Sequence, residues 1–235
     1  MENTKNRSLT CSEALKLYTG KNIAETLVKV TIMAACLLGV FTMLVWGIGI
    51  FAKDMDAAMI KEMCERSFSI GLGLSIYCAI GSFMMYARTF ERGLPGGKFF
   101  RTVKGGFDTY KKVRFAQHFA AMYAVVIYYV MLVILMKAGL ISVRFGLNAC
   151  ISAALFTILS MCVINFLTVV QEPLRRGYLM TIPLMAFPAA GILLLELTDG
   201  RLGVLHIVVA VLDVAGSIIS QKVMLSFFKK HRWDN

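Results

Sequence analysis

The sequence predicts an all-α, polytopic membrane protein with six transmembrane helices, and three observations predict it. Of its 235 residues, 58% are hydrophobic and 17% charged, with a mean hydropathy of +0.70. Soluble domains run nearer half apolar and a quarter charged. The apolar residues gather into six runs near the length a bilayer-crossing helix needs, about 20 residues. The cations gather at the ends of those runs and in one loop, residues 88–114.

That loop fixes the expected orientation. It carries eight basic residues against two acids, Glu91 and Asp108. A segment so basic is hard to pull across a bilayer, so it marks the cytoplasmic side. With six spans, both termini then fall on that side as well. The expected organisation is a cytoplasmic N-terminus (1–26), a six-helix transmembrane domain (27–228) and a basic tail (229–235). The net charge of +11 is explained by this placement and needs no nucleic-acid partner.

Taken in order, residues 1–9 are polar and read as disordered. Thr10 and Glu13 have capping-box spacing, and Ala14, Leu15, Leu17 and Tyr18 suggest a short amphipathic helix that ends at Gly20 and lies on the membrane surface. Asn22 and Glu25 repeat the capping spacing before the first span, 27–52, whose single cation, Lys29, can snorkel. Trp46 and Phe51 suit an aromatic belt at its outer end. Residues 53–66 are weakly acidic, as an outer loop should be. The second span, 67–87, carries Gly71, Gly73, Ser75 and Gly81, small residues suited to helix contact.

Within the basic loop, Phe100, Val103, Phe107 and Tyr110 recur at the spacing of one helical face. The Gly105-Gly106 pair is expected to divide the loop into two short helices. This stripe, rimmed by Arg101 and Lys104, reads either as a docking platform for a cytoplasmic partner or as a surface lying on anionic lipid headgroups. The third span, 115–136, is rich in Tyr and Met. A short turn flanked by Lys137 and Arg144 leads to the fourth, 145–170. Those two cations lie on the outer side, against the trend. Pro173 ends the fourth span, and Glu172 with Arg175 and Arg176 suggests a local ion pair. The fifth span, 178–197, contains Pro183 and Pro188 and is expected to kink. Glu196, Asp199 and Arg201 mark an outer turn before the sixth span, 202–228, which stops at a basic cluster from Lys229 to Arg232.

The motifs of enzymes are missing from the sequence. There is no GxSxG elbow, no HExxH and no P-loop. The three histidines (His118, His206, His231) lie far apart, which disfavours zinc and paired haem ligands. Six scattered cysteines form no CxxC pair. The chain is therefore expected not to be an enzyme and to need no metal or cofactor. The polar residues inside spans are better leads. Asp213 lies near the middle of the sixth span with Ser217 on the same face. A carboxylate at that depth costs about 2.5–3.5 kcal/mol on insertion scales, so it should face protein or water. It could line a substrate path or bind a cation or proton; it could equally serve packing through a hydrogen bond. Asn165 is a third candidate on such a path, though an interhelical hydrogen bond accounts for it and for Asn148.

Six spans, cytoplasmic termini, a basic loop after the second span and Phe90-Glu91-Arg92-Gly93 at its start together resemble the permease subunits of ABC-2 type transporters. The resemblance implies that Glu91 and Gly93 belong to the docking region and that a coupling helix lies within residues 97–114. It implies that a separate cytoplasmic ATPase docks there, and that residues 10–20 form the interfacial N-terminal helix. It also implies a homodimer or heterodimer of permease subunits in the cell membrane, most simply a bacterial plasma membrane, acting as an exporter or flippase. Two features depart from the pattern. Residues 197–201 leave no room for re-entrant outer helices, and Pro95 lies earlier than the family's coupling-stretch proline. Two other classes remain open. One is a non-transporting interaction protein (sensor, immunity or assembly factor); the other is a secondary transporter or channel centred on Asp213.

Overall fold

The computed structural model describes residues 9–51, 104–170 and 176–230, with Met59 and Glu62 as isolated positions. These residues form an all-helical bundle of six helices: α1 (Cys11–Thr19), α2 (Ile23–Phe51), α3 (Gly106–Lys137), α4 (Gly146–Val170), α5 (Arg176–Leu197) and α6 (Val204–Phe228). Four of them, α2, α3, α4 and α6, are long and apolar enough to cross a membrane, which is compatible with membrane localisation. The predicted second span lies outside the described residues. So do loop residues Glu91, Gly93, Phe100, Arg101 and Val103 and the turn residues Glu172, Pro173 and Arg175.

The capping signals act where the sequence places them. The Thr10 hydroxyl accepts from the Glu13 amide, and the Glu13 carboxylate accepts from the Thr10 amide at 2.8 Å. This satisfies donors that the first helical turn would otherwise leave open. Gly20 ends α1, and the Asn22–Glu25 pair opens α2, with the Glu25 amide donating to Asn22 Oδ1 at 2.8 Å. α1 then folds back onto the start of α3: Ala14, Leu15 and Tyr18 bury against Val113 and Ala116, and Lys112 donates to the Leu9 carbonyl.

One expectation is revised in part. A helix does begin at the Gly105-Gly106 pair, with Gly105 left-handed at its cap, but it is not short. α3 runs unbroken from Gly106 for 32 residues and includes the third span, while the loop before Lys104 lies outside the described residues. At 1.5 Å per residue it is about 48 Å long, well beyond the hydrocarbon thickness of a bilayer. Its buried face (Val113, Ala116, Ala120, Ala124, Tyr128, Leu132) repeats at three and four residues. The alanines let α2 and α4 approach closely. α2 buries Val30, Ala34 and Leu38 against this core and leaves Val28, Ile32 and Met43 exposed.

α4 is the most enclosed helix, packed by α3, α5 and α6. Its crossing with α5 depends on Gly191, where an added Cβ would sit 2.8 Å from the Phe156 ring and 3.1 Å from Ser152 Oγ. The bundle therefore has two distinct ends. One carries α1, the start of α3 and the cations Lys111, Lys112, Arg114, Lys229 and Lys230; this is the basic end. The other carries the α3–α4 and α5–α6 turns.

Candidate functional site

α6 presents a polar stripe to its neighbours. His206, Asp213, Ser220 and Gln221 are all buried, and Ser217 is half-buried beside them. Their spacing of seven, then four and three, keeps them on one helical face. Opposite stands α4 with Ser152, Cys162 and Asn165, and at the basic half α3 adds Met122, His118 and Arg114. The result is a line of polar groups along the long axis of the bundle.

At the turn end the line is fully bonded. The Gly203 amide donates to His206 Nδ1 at 3.1 Å, and His206 Nε2 lies 3.0 Å from Ser152 Oγ. Ser152 in turn donates to the Gly191 carbonyl at 2.9 Å. Since Nδ1 accepts, the proton of a neutral imidazole sits on Nε2 and donates to Ser152, so the chain of donors fixes one tautomer. The Phe156 ring meets the His206 ring edge-on at 6.2 Å. Around this core, Asn148 Nδ2 donates to the Gly200 carbonyl at 2.8 Å, and Arg144 pairs with Glu196 at 2.9 Å while lying over the Phe145 ring. Phe145 packs directly on Gly200, which adopts φ +77°, so any side chain there would be both strained and in collision.

From Asp213 toward the basic end the bonding is incomplete. Asp213 is 4% exposed, yet neither carboxylate oxygen has a hydrogen-bond partner among the described residues. Beside it the Cys162 thiol lies 4.0 Å from the Asp213 carbonyl and 3.5 Å from Ser217 Oγ, and Ser217 donates to Met122 Sδ at 3.7 Å. One to two turns further, Asn165 Nδ2 donates to Ser220 Oγ at 3.4 Å and contacts His118 Nδ1 at 3.3 Å. His118 Nε2 and Gln221 Oε1 are buried without a partner among the described residues. Below them, Arg114 reaches Gln117 and Met224 Sδ. Buried polar atoms left unbonded are uncommon in folded proteins and call for a physical account.

The structure thus brings Ser217, Asp213 and Asn165 onto one line between α3, α4 and α6. It also adds His118, Cys162, Ser220 and Gln221, which the sequence reading did not link to them. The signal available was the repeat of polar side chains at 206, 213, 217, 220 and 221.

The loop stripe divides differently. Lys104 is exposed. Tyr110 is buried against Met224 and Leu225 of α6, and Phe107 is partly buried in the same cluster with the Lys111 and Lys229 ammonium groups near its ring. These two aromatics tie the start of α3 to the end of α6. Among the described residues no group of three His, Cys, Asp or Glu side chains could hold a metal ion. In comparisons with known proteins, the chain matches no family model, no curated protein and no solved structure.

Proposed function

We propose that this chain is the membrane-spanning permease subunit of an exporter or flippase, driven by a separate cytoplasmic ATPase that docks on the 88–114 loop. In this reading the chain crosses the membrane six times, the basic end is cytoplasmic, and two copies assemble in the cell membrane. The continuity of α3 carries the proposal. The rod that begins at the end of the basic loop is the same rod that brings His118 and Met122 to the buried polar line. A displacement of the helix start at Gly106 therefore reaches the centre of the bundle along one unbroken helix. α1, clamped onto Val113 and Ala116, and α6, clamped onto Tyr110, widen the area that moves with it. The resemblance of Phe90-Glu91-Arg92-Gly93 to the ABC-2 permeases supplies the motor class.

A second reading, a secondary transporter or channel centred on Asp213, is favoured by one observation. The polar line lies inside a single chain rather than between copies.

Co-expression with the ATPase encoded nearest to this chain tests the first reading. Because Phe107 and Tyr110 serve internal packing, the informative variants are Lys104→Glu and Glu91→Lys. Each is expected to lower ATPase co-purification at least about tenfold, the loss of about 1.4 kcal/mol of docking energy, while membrane insertion is retained. Undiminished co-purification with the double variant, or an ATPase that never co-purifies with the wild-type chain, overturns the docking role.

A further inference from the structure

We propose that Asp213 is a proton-binding site loaded from the basic end of the bundle, along the line of His118, Asn165, Ser220 and Ser217, rather than past Val209 and the bonded His206. The inference deepens the transport reading by naming the proton as a species the seam takes up, and rests on that reading only for which end is cytoplasmic.

Two sets of observations carry it. The first is the pattern of unbonded atoms. Both Asp213 oxygens, Gln221 Oε1 and His118 Nε2 are buried and unpartnered among the described residues, and all lie from Asp213 toward the basic end. If Asn165 donates to His118 Nδ1, the neutral ring carries its proton on the unpartnered Nε2. The orphan set is then one donor and several acceptors, which proton-carrying water can satisfy and a hydrocarbon cannot. Ser217 and Ser220 stand one turn apart on α6, about 5–6 Å between Cβ atoms, so single water molecules can bridge the steps.

The second is the contrast above Asp213. The next buried position one turn up α6 is Val209, and beyond it His206 is locked by Gly203 and Ser152 with Phe156 against its ring. α3 also buries the hydroxyls of Tyr128 and Tyr129 in this half, the latter beside Thr157. Below Asp213 the polar side chains thus continue toward the basic end, while above it Val209 and the bonded His206 interrupt the line on α6.

The titratable and charged groups facing this line are few. α3 contributes His118, Arg114 and, nearer the turn end, Tyr128 and Tyr129; α4 contributes the Cys162 thiol and no charged side chain; and α6 itself contributes Asp213 and His206. Loading forms one O–H bond at the Asp213 carboxylate and removes one proton from water at the basic end. No other bond changes, and no co-reactant is needed.

The full chain, reconstituted in sealed vesicles of known orientation, is treated with a hydrophobic carbodiimide, which modifies protonated carboxyl groups. The adduct at Asp213 is quantified by mass spectrometry. The pH on each side is varied separately between about 5 and about 8. Adduct formation should follow the pH at the basic end, falling about tenfold per unit above the midpoint. It should ignore the pH on the other side. The variants His118→Phe and Asn165→Ala, each confirmed as folded by gel filtration, should blunt that response. Labelling that follows the opposite side, that is absent at every pH, or that responds normally in both variants overturns the proposal. ATP-driven transport is measured in the same vesicles with the ATPase added. Transport without a proton response sinks the proton site alone; a proton response without ATP-driven transport upholds the site and removes the ATPase reading.

Discussion

The two ends of the α4–α6 interface use similar residues to opposite effect. His206 and Asp213 are both 4% exposed and sit seven residues apart on one face of α6. His206 has both ring nitrogens bonded, and its partners are themselves bonded to backbone. Asp213 has neither oxygen bonded among the described residues. A satisfied buried polar group fixes a packing arrangement, because removing it strands its partners. An unsatisfied one costs stability in the resting state and is retained for another reason. Burial alone therefore does not separate structural from functional polar residues in a membrane bundle. The hydrogen-bond accounting does.

The sharpest way to break the closed end is at Gly200. Gly200→Val would place a β-branched side chain at φ +77° and drive it into the Phe145 ring. Left-handed strain costs about 1–2 kcal/mol and overpacking about 1–3 kcal/mol. A loss of about 2–5 kcal/mol is expected in detergent unfolding, with release of the Asn148 contact to the Gly200 carbonyl. Near-normal stability would mean that the turn end is not rigid and that the contrast is false. The smallest effect is expected at Arg144. Its pair with Glu196 is well exposed on both sides, so Arg144→Ala should cost about 0–1 kcal/mol, and less in high salt. A larger loss would show that charge, rather than packing and hydrogen bonds, seals this end.

Local features of the fold were legible in the sequence because they are encoded locally. Thr10 with Glu13 and Asn22 with Glu25 cap the helices they precede, and Gly20 ends α1. The bounds expected for the first, fourth, fifth and sixth spans match the helices α2, α4, α5 and α6 to within a few residues, and of these α2, α4 and α6 are long and apolar enough to cross a membrane. The start of α3 was misread because Lys111, Lys112 and Arg114 look like loop residues when hydropathy is the guide. A helix does not stop where the hydrocarbon stops, and long basic side chains keep their charges in water while the backbone continues. Arg144 seemed misplaced on the outer side. The structure supplies its partner, Glu196, 52 residues away. Likewise Asp213, Ser217 and Asn165 were visible as polar residues in apolar runs, but His118 lies 47 residues from its contact, Asn165, and 95 from Asp213. Spacing along one helix can reveal a stripe. It cannot reveal which stripe from another helix stands opposite.

The central claim is that the turn end is held together by its polar groups while the Asp213 half is strained by them. It is tested most directly by measuring thermal unfolding of His206→Leu and Asp213→Leu side by side in the same detergent. His206→Leu strands the Gly203 amide and takes away one of the two bonds of the Ser152 hydroxyl, and should lower stability by about 1–3 kcal/mol. Asp213→Leu strands no hydrogen-bond partner and removes two unbonded oxygens from an apolar surround, so stability should rise, by about 1–3 kcal/mol, while proton-dependent labelling at that position disappears. Shifts of opposite sign are the predicted result. A fall of similar size in both variants would contradict the account, because it would mean that Asp213, like His206, is a structural residue whose partner holds the bundle together.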